Sequence, residues 1–278
     1  MKKILPAFDS GHFSEGSFEF ARVLNESETS FITGVFLPPS DLANTWSYSG
    51  GGMGMSGSLT IPVLEEEDLE MVEKNIKHFE VMCKKNKIQY SVHKNSDNSA
   101  IPTLIRETIF ADLLIIGSES FYKYLGTGEP NQYLEDILHK ACCPVIVVPE
   151  KFTFPQTNIL AYNGSESSTY AIKQFAYLFP SLIKNRTILV CSKEDGEIEL
   201  PEKNNIEELA NRHFEELTLL KFDVNPKVYF TKWFMKKKSA ILVTGSFGRS
   251  NISRFFHKSF LSEIIKDHSI PVFISHHN

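Results

Sequence analysis

The segment that begins at Gly245 has the residue types and spacing of a loop that binds phosphate. Gly245 ends an apolar run, Gly248 follows after two intervening residues, and Lys258 and Ser259 follow after nine more. Glycine lets the backbone turn at positive φ and approach a phosphate closely, while the amides and helix N-terminus beyond such a loop hold the anion. The pattern therefore indicates anion-binding chemistry at the end of a strand.

A related segment, beginning at Gly117, has the same apolar run and the same Gly-Ser start, but it has lost the rest of the pattern. Ser120 stands at the position that corresponds to Gly248. Glu119 and Glu129 place negative charge where phosphates would lie, which is unfavourable for an anion. We therefore expect phosphate binding at Gly245 rather than at Gly117.

The two segments belong to an internal repeat that extends along most of the chain. The matching stretches are, in order, 4–11 with 159–165, 113–118 with 241–246, and 144–147 with 271–274. A repeat of more than about 100 residues indicates two domains rather than a solenoid of small units. We predict domains at 1–150 and 156–278, with the seam where Pro149 and Pro155 flank a short polar and aromatic link.

Continuous apolar runs predict the strands of a parallel sheet that is covered on both faces. The predicted strands of the first half are 2–8, 31–37, 88–94, 112–117 and 144–148. Helical patterns lie between them at about 66–86 and 101–110. In the second half we expect the third strand at 227–230, leading through a short basic turn into the strand that ends at Gly245. Strands and helices that alternate in this way predict an α/β fold.

This layout resembles the universal stress protein family over both halves of the chain. In that family strand one ends in an aspartate, strand four ends in the glycine motif, and a short last strand often begins Cys-Pro-Val and pairs across a dimer axis. Here Asp9 has the strand-one place, and Cys143-Pro144-Val145 and Ile270-Pro271-Val272 begin the two last strands. The resemblance implies two tandem Rossmann-like (adenine nucleotide alpha hydrolase-like) domains, each a mainly five-stranded parallel sheet with helices on both faces.

The resemblance also implies that strands 144–148 and 271–275 lie side by side about a pseudo-twofold axis, and that ATP or another adenine nucleotide binds at the glycine motif. Asn163 replaces the family's aspartate but can still hydrogen-bond a base or ribose, and Lys258 replaces a glycine. We expect at most one nucleotide per chain, in the second half. The residues that match the family's site are Asn163, Val190, Gly245, Ser246, Gly248, Arg249, Lys258 and Ser259, with Asp9 and Gly117 as a weaker first-half set.

These features imply a stress-response binding or sensing module rather than an enzyme. Two alternatives stay open: a scaffold that acts by protein contacts without a nucleotide, and a weak nucleotide hydrolase. A hydrolase needs a base or a metal-binding carboxylate near the phosphates. The side chains beside the second-half motif are instead basic: Arg249, Arg254, His257 and Lys258.

Composition excludes several other classes. The net charge is −5 and the pI is about 6.0, so no strong basic field is present to hold nucleic acid. No stretch approaches the ~18–20 apolar residues that cross a bilayer, and the N-terminus reads as a first strand rather than a signal peptide. The four cysteines, at 83, 142, 143 and 191, fit buried free thiols. Together these features predict a cytoplasmic protein.

We expect the protein to be a homodimer. The segment 46–59 contains Trp46, Tyr48, Met53 and Met55, which together are apolar enough to order against a neighbour. Its glycine-rich part, 49–57, lacks the Lys-Ser/Thr of a P-loop and is therefore expected to be a flexible or partner-ordered loop. His276 and His277 have no third ligand in sequence and are expected to form a tail rather than a metal site.

Overall fold

The computed structural model describes residues 1–9, 12–37, 66–94, 100–119, 132–192, 200–222, 233, 237–245, 264–265 and 267–275. Its first half alternates strands with helices. The elements are β1 (Lys2–Asp9), α1 (Glu15–Ser27), β2 (Ser30–Leu37), α2 (Glu66–Lys85), β3 (Gln89–Lys94), α3 (Ala100–Thr108), β4 (Leu113–Gly117), α4 (Gln132–Lys140) and β5 (Val145–Val148). All five strands and both helices predicted from the sequence are confirmed to within about two residues.

The second half repeats the pattern with fewer described helices. Its elements are β6 (Thr157–Tyr162), α5 (Glu166–Leu178), β7 (Arg186–Ser192), α6 (Lys203–His213), β8 (Leu217–Phe222), β9 (Ala240–Gly245) and β10 (Val272–Ser275). We expected the third strand at 227–230, which lies outside the described residues. The third strand of this half is instead β8, whose apolar run of Leu217, Leu219 and Leu220 pairs with β7.

The ten strands that the described residues form make one sheet, in the order β3-β2-β1-β4-β5-β10-β9-β6-β7-β8. Neighbouring strands are parallel except β5 and β10, which pair antiparallel with Val147 opposite Val272 and Val145 opposite Ile274. The predicted side-by-side placement of the two last strands is therefore confirmed. Read outwards from this pair, the two halves have the same strand order. The boundaries 1–150 and 156–278 stay a prediction.

Two layers of side chains cover the sheet, as the fold-class prediction requires. On one face α1, α2, α5 and α6 pack against the strands, and on the other face α3 and α4 do so. The first-half core is rich in aromatic rings. Phe8, for example, stacks on Phe13 at a centroid distance of 4.5 Å and on Phe36 at 5.2 Å. The apolar faces of α1 and α5 are buried in this layer.

The link between the halves is packed against α1. Phe152 and Phe154 lie with ring centroids 5.7 Å and 5.3 Å from that of Phe20. A Cβ atom on Gly16 would lie 2.1 Å from the carbonyl oxygen of Pro149, so only glycine allows this approach. The seam predicted from the sequence is therefore a close contact rather than a loose tether.

Three of the four cysteines are buried, but Cys142 is exposed, which corrects the expectation that all of them are buried. The reason is the turn before β5, where Cys143 faces the core and Cys142 faces outward. Burial raises the pKa of both Cys83 and Cys143 to about 12. Within the described part of the chain, no helix is long and apolar enough to cross a membrane.

Candidate functional site

In each half the order of the strands reverses at one point of the sheet, and we call the carboxyl edge of the strands at that point the crevice of that half. In the first half this point lies between β1 and β4, and in the second half between β6 and β9. Open parallel sheets bind ligands at such switch points. The strand-one and strand-four positions singled out in the sequence therefore meet at one edge in each half.

Gly245, the last residue of β9, lies against the start of α5. A Cβ atom there would be 2.4 Å from the carbonyl carbon of Ser167 and 2.6 Å from the amide nitrogen of Ser168. The glycine thus lets the first turn of α5 approach the end of β9. This packing role is independent of any ligand, and it brings helix N-terminal amides to the crevice.

Gly117 has the same place in the first half. A Cβ atom on it would lie 2.8 Å from Ser14 Oγ and 3.5 Å from Ser17 Oγ, in the first turn of α1. Both strand-four glycines therefore contact the helix that follows strand one. The close approach is to backbone atoms in the second half, but to side-chain atoms in the first.

Asn163 follows β6 directly and lies at the second-half crevice. Its Oδ1 accepts a hydrogen bond from the Ser165 N–H at 3.0 Å, and Ser165 is the N-cap of α5, accepting from the Ser168 N–H at 3.2 Å. The side chain therefore shapes the turn into α5 with its oxygen. Its amide nitrogen has no hydrogen-bond partner among the described residues.

Val190 lies in β7, where it pairs with Ala161 of β6 and Leu220 of β8. Its side chain is 2% exposed and belongs to the core, so only its backbone could contribute to a site. Asp9 is the last residue of β1 and pairs with Leu37. The remaining predicted residues lie outside the described part of the chain and stay predictions: Ser246, Gly248, Arg249, Lys258 and Ser259.

Sequence reasoning missed two residues at the loop that follows β6, Tyr162 and Gly164. The Tyr162 hydroxyl donates to the carbonyl oxygen of Pro201 at 3.0 Å, and a Cβ atom on Gly164 would lie 2.6 Å from the Pro201 Cβ. Gly164 has a φ of 82°, which favours glycine. Burial raises the pKa of Tyr162, and Cys191 and Glu202 add to the shift. The Tyr-Asn-Gly run at a strand end was the available signal.

A groove of about 410 Å³ opens from this loop between α5 and α6. Its lining includes Tyr162, Thr169, Lys173, Asn205 and Ile206. Ligand pockets commonly have volumes of about 300–1,000 Å³. The second-half crevice therefore adjoins space of the size that a small polar ligand needs.

The first-half crevice is organised around carboxylates. Glu119 follows Gly117 and Ser118, and its two carboxylate oxygens accept the Glu150 N–H at 2.9 Å and 3.0 Å. Ser118 Oγ lies 2.9 Å from Glu119 Oε2 and 2.6 Å from Nδ1 of His268, which reaches across from the second half. Of the two glutamates predicted to place negative charge here, Glu119 is engaged by the chain itself, and Glu129 lies outside the described residues.

Glu150 in turn reaches the start of α1. Its Oε2 accepts the Gly16 N–H at 3.2 Å, and its Oε1 lies 3.6 Å from Nε2 of His12. That oxygen and that nitrogen are both buried without a hydrogen-bond partner among the described residues. Within the described residues, no group of three or more histidine, cysteine, aspartate or glutamate side chains could hold a metal ion.

No family model matches this sequence, and no curated protein matches it. Solved structures do. Over 100% of its length the chain is similar to a universal stress protein from Archaeoglobus fulgidus, covering 97% of that chain at a TM-score of 0.69 and 15% identity. The chain has the universal stress protein fold.

Two proteins from Pseudomonas aeruginosa share this fold. One is a functionally unknown protein, with a TM-score of 0.61, 12% identity and coverage of 99% of this chain and 92% of that one. The other is a universal stress protein candidate, with a TM-score of 0.57, 11% identity and coverage of 99% and 93%. The likeness extends across both halves, so the expectation of an α/β sheet with helices on both faces is confirmed.

Proposed function

We propose that the protein is a universal-stress-type binding or sensing module that takes up one adenine nucleotide, ATP or a close relative, at its second-half crevice. The observation that carries the proposal is the contact of Gly245 with the first turn of α5 at the switch between β6 and β9. A phosphate at this edge would face the amides of a helix N-terminus, where the helix dipole favours an anion.

One amide of that turn supports the proposal directly. Ser167 N–H has no hydrogen-bond partner among the described residues, whereas the neighbouring Ser168 N–H is capped by Ser165 Oγ. A helix start leaves such donors for water, side chains or ligands. In this proposal the phosphates are held by the α5 turn together with Ser246, Gly248, Arg249, Lys258 and Ser259 of the glycine motif.

Asn163 would face the base or ribose of the nucleotide. Because one lone pair of its oxygen is used by the Ser165 N–H, the side chain offers its N–H donors and only one remaining acceptor lone pair. An adenine amino group needs an acceptor. Asn163→Asp keeps one oxygen on the Ser165 N–H and supplies a second one, so we expect the variant to bind ATP more tightly than the natural chain.

Calorimetric titration with ATP, ADP and AMP tests the proposal. We expect a stoichiometry of one per chain, and we expect Gly248→Val to abolish binding because its side chain fills the space for backbone approach to a phosphate. The matched control is Gly126→Val, near the degraded first-half motif, which should leave the affinity unchanged.

Each alternative has its own outcome in the same assays. A folded protein that binds none of the three nucleotides would favour the scaffold. Release of inorganic phosphate from bound ATP, lost in Gly248→Val, would favour the weak hydrolase. Nucleotide bound with one-to-one stoichiometry but lost in the Gly126→Val control would contradict the placement in the second half.

We also propose that the protein is a homodimer that uses the segment 46–59, which lies outside the described residues. The facing pair β5 and β10 is already used inside the sheet, so further assembly needs another surface. Closed twofold pairing is the commonest route for a single chain. Light scattering at micromolar concentration tests this, and a mass near 31.6 kDa would contradict it.

A further inference from the structure

The starts of α1 and α5 are built alike but are occupied differently. Each helix has a serine N-cap whose Oγ accepts from the serine three residues later: Ser14 from Ser17 at 3.1 Å and Ser165 from Ser168 at 3.2 Å. Between the cap serine and the serine that donates to it, the residue after the first glutamate is Gly16 in α1 and Ser167 in α5. Their N–H groups are therefore equivalent donors at the two crevices.

These equivalent donors differ in what they bind. The Gly16 N–H donates to Glu150 Oε2 at 3.2 Å, while the Ser167 N–H has no partner among the described residues. A carboxylate at a helix N-terminus is stabilised by the same amides and dipole that hold a ligand phosphate. Glu150 thus has the chemistry and the place of a bound anion.

A second carboxylate holds Glu150 in this position. Both oxygens of Glu119 accept the Glu150 N–H, and Glu119 is part of the segment that would otherwise wrap a phosphate after Gly117. The absence of a side chain at Gly16 allows Pro149 and Glu150 to come this close to α1. The two contacts act together on one residue: Glu119 fixes the backbone of Glu150, and the Gly16 N–H fixes its side chain.

We propose that Glu150 is a built-in anion: an autoinhibitory contact that closes the first-half crevice to phosphate-bearing ligands. The Glu150 side chain occupies this crevice and links the end of β5 to the start of α1. The first-half helix N-terminus is thereby used for a contact within the chain, whereas the equivalent N–H in the second half, that of Ser167, stays available to a ligand. This inference does not depend on whether the second half binds a nucleotide.

The test uses inorganic sulfate as the probe and the backbone amide signals of the full chain as the readout. In the natural protein, sulfate should leave the Gly16 amide signal in place. In Glu150→Ala the Gly16 N–H loses its acceptor, so its signal should shift on removal of the carboxylate and shift again, saturably, on addition of millimolar sulfate. The Ser167 signal is the internal reference, because its response should be the same in both proteins.

Glu150→Gln is the matched control. Its amide oxygen can still accept the Gly16 N–H, but it carries no charge, so the Gly16 signal should move towards that of a neutral acceptor and stay insensitive to sulfate. If Glu150→Ala does not fold, Glu150→Gln still tests the contact between Glu150 and the Gly16 N–H. A Gly16 signal identical to that of the natural protein would show that the Glu150 carboxylate does not accept this N–H, and a shifted signal would support the contact.

Other outcomes also decide the proposal. A Gly16 signal in Glu150→Ala that does not respond to sulfate, in a protein that otherwise has natural signals, would overturn it. So would a natural protein whose Gly16 signal already follows sulfate. A Ser167 signal that never responds would count against the second-half site alone, and it would leave the comparison at Gly16 intact.

Discussion

Replacing Gly245 by alanine should destabilise the protein far more than the same replacement at Gly117. The added Cβ at residue 245 would lie 2.4 Å and 2.5 Å from the carbonyl carbon and oxygen of Ser167. Ordinary contacts are about 3.5–4.0 Å. Because these atoms are backbone in the first turn of α5, relief requires the helix to move by about 1 Å.

The size of the effect follows from two opposing contributions. Forcing an extra carbon into packed structure costs typically about 1–3 kcal/mol. The lower entropy of the unfolded chain offsets about 0.4–1 kcal/mol when alanine replaces glycine. We therefore expect Gly245→Ala to lower the free energy of unfolding by about 1–2 kcal/mol.

At Gly117 the added Cβ would lie 2.8 Å from Ser14 Oγ, which can rotate away, and 3.1 Å from Ser14 Cβ, which needs to shift by only a few tenths of an ångström. Rotation breaks the N-cap bond from the Ser17 N–H, which contributes about 1 kcal/mol. The same entropy offset then leaves a net change of about 0.5 kcal/mol or less. A double variant tests this route: Gly117→Ala should cost little more in a Ser14→Ala background, because the cap is already lost.

Urea unfolding followed by circular dichroism measures each difference. For a chain of this size, a change of 1 kcal/mol moves the thermal midpoint by about 2–4 °C. The reasoning would be refuted if Gly245→Ala were as stable as Gly117→Ala, or if Ser168→Ala rescued Gly245→Ala. Truncating a side chain cannot relieve contact with backbone.

Three further predictions concern groups inside the fold. Asn158→Ala should lower the free energy of unfolding by about 2–3 kcal/mol in urea titrations, because the buried Asn158 donates to Leu182 O at 2.7 Å and to Thr187 Oγ1 at 3.0 Å; stability equal to that of the natural protein would contradict it. Iodoacetamide at pH 8, with alkylation followed by mass spectrometry, should modify the exposed Cys142 well before Cys83 or Cys143, because burial raises the pKa of Cys83 and of Cys143 to about 12. Burial raises the folded-state pKa of Tyr162, so its stabilising contribution is present at neutral pH and is lost as pH rises past the unfolded pKa towards the folded one. The free energy of unfolding should therefore fall less steeply with rising alkaline pH in Tyr162→Phe than in the natural protein. An unchanged slope in this pH range would exclude Tyr162 as the cause.

Periodicity and run length were enough to predict the sheet, because buried parallel strands are continuous apolar runs. The family resemblance, carried in part by Pro-Val at the two last strands, also predicted the contact of β5 with β10. The third strand of the second half was not found, since the run in β8 is interrupted by Lys221 and residues 217–221 are partly or fully exposed at the edge of the sheet. Edge strands lack the pattern that burial on both faces imposes.

The site was predicted less completely. The glycines at 117 and 245 were identified by their place after a strand, but the atoms they contact come from a helix about 100 or 80 residues earlier. Glu119 was identified as a negative charge at the first-half motif. Its partner Glu150 could not be identified, because Glu119 binds the backbone N–H of Glu150, and nearly every residue type has a backbone N–H. Asn163 was interpreted as a ligand contact, and its oxygen shapes the turn into α5.

The position of β10 has a consequence for how the chain is made. Among the described strands β10 is the last to be synthesised, yet it lies at the centre of the sheet, between β5 and β9. Until it emerges from the ribosome, β5 and β9 each present an open edge, which is a template for pairing with another chain. Domains generally fold in order of synthesis. The nascent first half must therefore persist with an unpaired β5 while more than a hundred further residues are added, and errors at this stage would join two chains instead of two halves.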